Sequence, residues 1–187
     1  YMDTHQDLAI MLPNINPYIR PSGTSLEEWC NEKISEMEET ILSIGSDKIG
    51  CFIAEPILAS GGVIVPPPGY HQRSLELCKK HDIVYISDET VTGFGRLGHW
   101  FASKEVFGIQ PDIITCAKGL TSGYLPMGAA IISERLIDDI KNKDGSQPFT
   151  NGYTYSCHPV AAKAALTNID IMSRDGILEH VRKISPH

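Results

Sequence analysis

The sequence predicts an α/β fold: a mostly parallel sheet with helices on both faces. Two observations carry this. Several short runs are apolar throughout rather than alternating, as strands buried on both faces are. Between them stand stretches with helical spacing, and strand, helix, strand is the order of a parallel crossover unit.

The elements follow in chain order. Residues 1–24 are loop-rich, with Pro13, Asn14, Asn16, Pro17, Pro21, Ser22 and Gly23. Ser25-Leu26-Glu27-Glu28 reads as a capping box. Behind it Leu26, Cys30, Ile34, Met37, Ile41 and Ile44 mark an amphipathic helix that ends at Gly45. The first strand fits 49–54 and stops at Glu55-Pro56. Gly61-Gly62 and Pro66-Pro67-Pro68-Gly69 mark a long loop. A helix fits 70–81, with Leu75 and Cys78 inward. The second strand, 83–86, ends at Ser87-Asp88-Glu89. A third fits 112–116 and a fourth 127–133, with helices at 134–141 and 158–173.

Composition bounds the function. With 187 residues, 42% apolar, 21% charged and a net charge of -7, the chain reads as one soluble globular domain. A disordered tail is excluded, and the acidic balance argues against a nucleic-acid binder. No apolar run approaches the ~20 residues that cross a membrane. Cys30, Cys51, Cys78, Cys116 and Cys157 are widely spaced and form no C-x-x-C pair, so free, mostly buried thiols in a reducing cytoplasm are expected. The seven histidines are scattered, and no metal site is expected. The chain runs from Tyr1-Met2-Asp3 to Ser185-Pro186-His187, close behind a helical pattern, so a piece of a longer protein is expected.

Ligands of open α/β sheets bind beyond the carboxyl ends of the strands. Glu55 follows the first strand, Asp88 and Glu89 the second, and Lys118 the third, so acids and a lysine converge on one edge. A structural ion pair would give the same pattern. Gly93-Phe94-Gly95-Arg96-Leu97-Gly98 matches G-x-G-x-x-G after a strand, but Asp88 and Glu89 would set two carboxylates against the phosphates of a dinucleotide. The glycines are read instead as letting the chain turn tightly beside a ligand. A lysine and an acid on neighbouring strand ends suit pyridoxal 5'-phosphate. That cofactor bonds its aldehyde to a lysine as a Schiff base and needs a carboxylate to keep its ring nitrogen protonated. The spacing allows this reading without proving it.

Four motifs then carry a family resemblance. Residues 88–98, Asp88-Glu89-Thr90-Val91-Thr92 followed by the glycine run, resemble the D-E-V-x-x-G-F-G-R-x-G element of class III aminotransferases, pyridoxal-phosphate enzymes of fold type I. Lys118-Gly119-Leu120-Thr121-Ser122-Gly123-Tyr124-Leu125-Pro126 resembles their lysine segment. Glu55-Pro56 with Gly61-Gly62-Val63, and Gly152-Tyr153-Thr154-Tyr155 with His158-Pro159, resemble two further elements.

The resemblance implies roles. Lys118 would be the Schiff-base lysine and proton carrier. Asp88 would pair with the pyridinium nitrogen. Thr90 would stand where valine usually packs on the ring face, beside Val91. Thr154 would reach the cofactor phosphate of the neighbouring subunit, which implies a homodimer with a shared active site. Glu55 would lie near the substrate carboxylate. The Thr121-Ser122-x-Tyr124-x-Pro126 run resembles members that move an amino group from an ω-amino acid or amine to a keto acid such as pyruvate, with Tyr124 and Tyr153 beside that pocket. Residues 1–174 would be part of the large domain and 175–187 the start of the small one. The family's phosphate cup, ring-stacking aromatic and substrate arginine have no match here. An aminomutase or racemase remains open as a rival, as does an inert fragment.

Overall fold

The computed structural model describes residues 8–142 and 151–186. Its sheet has four strands in the order β1 (Cys51–Ala54), β2 (Val84–Asp88), β3 (Ile113–Cys116), β4 (Ala129–Ile132). β1, β2 and β3 are parallel, and β4 runs antiparallel to β3. The mostly parallel sheet is therefore present, with a reversed last strand. A parallel pair needs a crossover of a dozen residues or more, usually helical. No α-helix stands between β3 and β4, only a 3-10 turn at Lys118–Leu120 and a loop. An apolar run alone does not state its direction.

Helix α1 (Leu26–Ile44) starts where the sequence places a cap. The Ser25 hydroxyl accepts the Glu28 N–H at 3.1 Å, and the Glu28 carboxylate accepts the Ser25 N–H at 2.8 Å. Two otherwise orphaned donors are satisfied together. Cys30, Ile34, Met37 and Ile41 of α1 share one buried core with Leu75 and Cys78 of α2 (Tyr70–Lys80) and Tyr85 of β2. That core fixes one face of the sheet and so fixes where its strand ends point.

α3 (Ala102–Glu105) and α6 (Ile177–Ile184) were not predicted, whereas α4 (Glu134–Asn142) and α5 (Pro159–Arg174) were. α3 has four residues, too few to display a period. α6 follows Gly176, which sits in the left-handed region at φ 61°, and it buries Leu178. Arg182 of α6 donates to the carbonyl of Gly98, tying that helix to the glycine run. No helix among the described residues is long and apolar enough to cross a membrane.

Candidate active site

Asp88 is the last residue of β2 and stands level with Thr115 of β3. Its Oδ1 accepts the Thr115 hydroxyl at 3.1 Å and the Thr90 N–H at 3.0 Å. The Thr90 hydroxyl stabilises the same carboxylate. Partial burial raises the carboxyl pKa, but hydrogen bonds from Thr90 and Thr115 and the positive charge of Lys118 outweigh it, so Asp88 titrates below the usual carboxylate range. The result is an oriented, ionised carboxylate.

Lys118 lies two residues beyond β3, exposed, at the head of the 3-10 turn. Its φ is +38°, a left-handed conformation that L-residues rarely adopt. Its amine makes no hydrogen bond or ion pair among the described residues. β2 and β3 are adjacent and parallel, so their carboxyl ends bring Asp88 and Lys118 to the same edge.

The glycine run proves to be architecture. Phe94 N–H donates to the Trp100 carbonyl at 2.7 Å and Gly95 N–H to His99 at 3.0 Å, so the segment folds back on itself. Gly95 has φ +90°, which favours glycine. Phe94 then backs onto the lysine turn: a Cβ added at Gly119 would stand 2.8 Å from Phe94 Cβ. The expected tight turn is present, beside the lysine.

Glu89, grouped by sequence with the converging acids, belongs elsewhere. It is fully buried. Its carboxylate accepts the N–H groups of Ala102 (2.6 Å) and Ser103 (2.8 Å) and the hydroxyls of Ser103 (2.5 Å) and Thr92 (3.0 Å). Adjacent residues leave a strand in opposite directions, which separates Asp88 from Glu89. The second carboxylate caps α3 and closes the loop between residues 89 and 103.

The other candidates are placed as follows. Glu55 is half-buried just past β1, where its Oε2 accepts the Ala59 N–H at 3.0 Å and shapes the loop. The Pro56 carbonyl beside it accepts from His71 Nε2 at 2.9 Å. Val91 is half-buried in the turn after Asp88, next to Thr90. Thr154 is exposed in the turn at 154–157, between Tyr153 and Tyr155, which are 84% and 83% exposed. Tyr124 lines a groove of about 660 Å³ beside the lysine turn, with Leu125, Pro159, Val160 and Asn168. Of the thiols, Cys30, Cys78 and Cys116 are buried, and Cys51 and Cys157 are exposed.

Two residues of the site were not singled out from sequence. Thr115 sits inside a predicted strand, and only the pairing register shows that it faces Asp88. Asn168 lies in the middle of α5 and reaches the lysine turn with both atoms of its amide. An asparagine in a helix interior, where it is a weak helix former, is the one sequence signal for it.

Comparison with known proteins agrees with this geometry. The family model for class III aminotransferases matches residues 2–187. A probable aminotransferase of Mycobacterium tuberculosis is 43% identical over 175 residues, covering 94% of this chain and 37% of its own length. A putrescine–pyruvate aminotransferase of Pseudomonas aeruginosa is 46% identical over 154 residues, covering 82% of this chain and 32% of its own. The crystal structure of a thermostable (S)-enantioselective omega-transaminase from Thermomicrobium roseum superposes with a TM-score of 0.85 at 41% identity, over 91% of this chain and 37% of that one. The chain spans about a third of the length of the curated relatives it matches. Backbone and sequence thus agree over nearly all of its residues, and the chain belongs to the class III aminotransferases.

Proposed function

We propose that the protein containing this chain transfers an amino group from an ω-amino acid or amine to a keto acid such as pyruvate, with pyridoxal 5'-phosphate as cofactor. The observation that carries this reading is the pairing of Asp88 and Lys118 on adjacent strand ends. An oriented, ionised carboxylate suits a protonated ring nitrogen, and an unengaged primary amine suits the aldehyde. The donor set therefore fits the cofactor.

When bound, pyridoxal phosphate supplies an electron sink for the bonds around the amino carbon. The chain's residues do the rest. Asp88, oriented by Thr90 and Thr115, keeps the ring nitrogen protonated. Lys118 Nζ would hold the cofactor aldehyde and, when free, would act as the base that carries a proton between the two carbon centres. Thr90 and Val91 lie where the face of the ring would rest. Glu55, at the end of β1, would lie toward the substrate carboxylate. Thr154 would meet the cofactor phosphate held by a second subunit, and the exposure of Tyr153 and Tyr155 around it supports a homodimer that shares its sites.

The substrate class is supported by the Thr121-Ser122-x-Tyr124-x-Pro126 run and by the names of the relatives. In this reading residues 1–174 belong to the large domain and 175–187 open the small one. The five free thiols support a reducing compartment, the cytoplasm.

The test is reductive trapping in the full-length protein: add pyridoxal phosphate, reduce with borohydride, and find the modified peptide by mass. Label concentrated on Lys118 is the expected result. Lys118→Ala then abolishes transfer from a diamine or ω-amino acid to pyruvate. Retained turnover in that variant overturns the assignment.

A further inference from the structure

We propose that Asn168 is the positioning residue of the catalytic lysine: it clamps the Lys118 turn, which also packs against Phe94, and sets the direction in which the lysine leaves the sheet. This rests on the reading of Lys118 given above.

Asn168 Nδ2 donates to the carbonyls of Gly119 at 2.8 Å and Leu120 at 3.2 Å, the two residues that follow the lysine. Its Oδ1 accepts the Ser122 hydroxyl at 2.7 Å. The partners fix the orientation of the amide, because a carbonyl only accepts and the side-chain oxygen cannot donate. One side chain of α5 therefore holds the segment that begins with Lys118 at three residues, Gly119, Leu120 and Ser122.

The segment needs holding. Lys118 at φ +38° and Ser122 at φ +51° are both non-glycine residues in the left-handed region. Such conformations persist only where the surroundings over-determine them. Three of the turn's own backbone bonds are long: Thr121 N–H to Lys118, Ser122 N–H to Gly119 and Gly123 N–H to Lys118 all measure 3.3 Å, whereas Leu120 N–H to Ala117 measures 2.9 Å and the Thr121 hydroxyl donates to Leu125 at 2.6 Å. The shortest bonds to this segment from another element come from Asn168. The turn also meets Phe94 at Gly119. Lys118 is thus held between a loop and a helix, with its side chain left free.

The test uses two variants of the full-length protein. Asn168→Ala removes all three bonds to the turn, with the weak one to Met172 Sδ. Asn168→Asp keeps the size and the acceptor for Ser122 but loses both donations to the turn. A positioning role predicts that both lower kcat roughly 10²-fold, the cost of a misplaced reacting group, with KM for the amino donor unchanged. An Asn168→Asp variant with wild-type kcat, or a rise in KM with kcat intact, overturns the proposal. A second readout needs no turnover. In the cofactor-free protein, amide exchange over 118–124 is expected to accelerate in both variants while β1 to β3 stay protected, and unchanged exchange overturns the clamp. If the wild type itself takes no label at Lys118, the proposed function fails, and the exchange measurement still judges the clamp.

Discussion

Gly119 rests so closely on Phe94 that a Cβ on the glycine would stand 2.8 Å from the Cβ of Phe94. Real Cβ atoms do not approach so near, so Gly119→Ala must move either the lysine turn or the loop that carries Phe94. We expect a loss of about 1–3 kcal/mol, the usual cost of overpacking, together with reduced borohydride-trapped labelling of Lys118. Gly123→Ala is the control. It has φ +78° but nothing within 4 Å of an added Cβ, so its cost is the backbone alone, about 1–2 kcal/mol. Urea midpoints and peptide mass measure both. Lys118 labelling equal in Gly119→Ala and wild type would separate the glycine loop from the lysine.

Asp88→Asn keeps an oxygen for Thr90 and Thr115 and removes the charge. Transamination is expected to fall on the order of 10²-fold or more, as when a group that stabilises developing charge is removed, while some cofactor still binds. The wild-type group has a depressed folded pKa, so its ionised form stabilises the fold above about pH 3.9. That contribution is lost as pH falls through the lower folded value. Asp88→Asn should therefore show a shallower loss of stability in acid. Thr115→Val removes one donor and should raise the Asp88 pKa, read by carboxyl titration in NMR. Full activity in Asp88→Asn would contradict the role given to the carboxylate.

How much of this was legible in the sequence divides along physical lines. Strand 83–86, helix 70–81 and the cap at Ser25 were readable because local spacing and capping chemistry dictate them. The edge that bears Asp88 and Lys118 was readable because strand ends position ligands in this fold class. Three features were not. The direction of β4 depends on the connection before it, not on its apolar run. The separation of Glu89 from Asp88 needs a structure that supplies four donors to the second carboxylate. The approach of Asn168 to Gly119 joins residues 49 apart, and no local pattern encodes such a contact.

Glu89 gives the largest expected loss of stability. It is fully buried and accepts from Ala102, Ser103 and Thr92. Glu89→Ala would strand these donors, each costing about 1–3 kcal/mol when left buried and unpaired. The sum is reduced by relaxation of α3, and we expect about 3–5 kcal/mol in denaturant unfolding. Glu89→Gln keeps the shape but turns an amide toward donors, and should fall between the two. A loss under about 1 kcal/mol in the alanine variant would show that the loop does not depend on this carboxylate.

His71 predicts a pH dependence on the neutral side. It is 2% exposed, between Tyr85 and the Pro56 carbonyl. A carbonyl only accepts, so Nε2 carries the proton and Nδ1 accepts from the Tyr85 hydroxyl at 3.0 Å. Burial lowers its pKa, partly offset by the Pro56 carbonyl and the Glu89 charge. The unfolded chain thus binds a proton more readily than the folded one. Stability is full above the unfolded value of about 6.5 and declines as pH falls from there toward the lower folded value. His71→Gln should be less stable at pH 8 yet flatter in its dependence below about pH 6.5. Urea unfolding across that window measures both slopes. Equal slopes in the two proteins would mean that another group sets the decline, and that the loop after β1, with Glu55, does not loosen through His71.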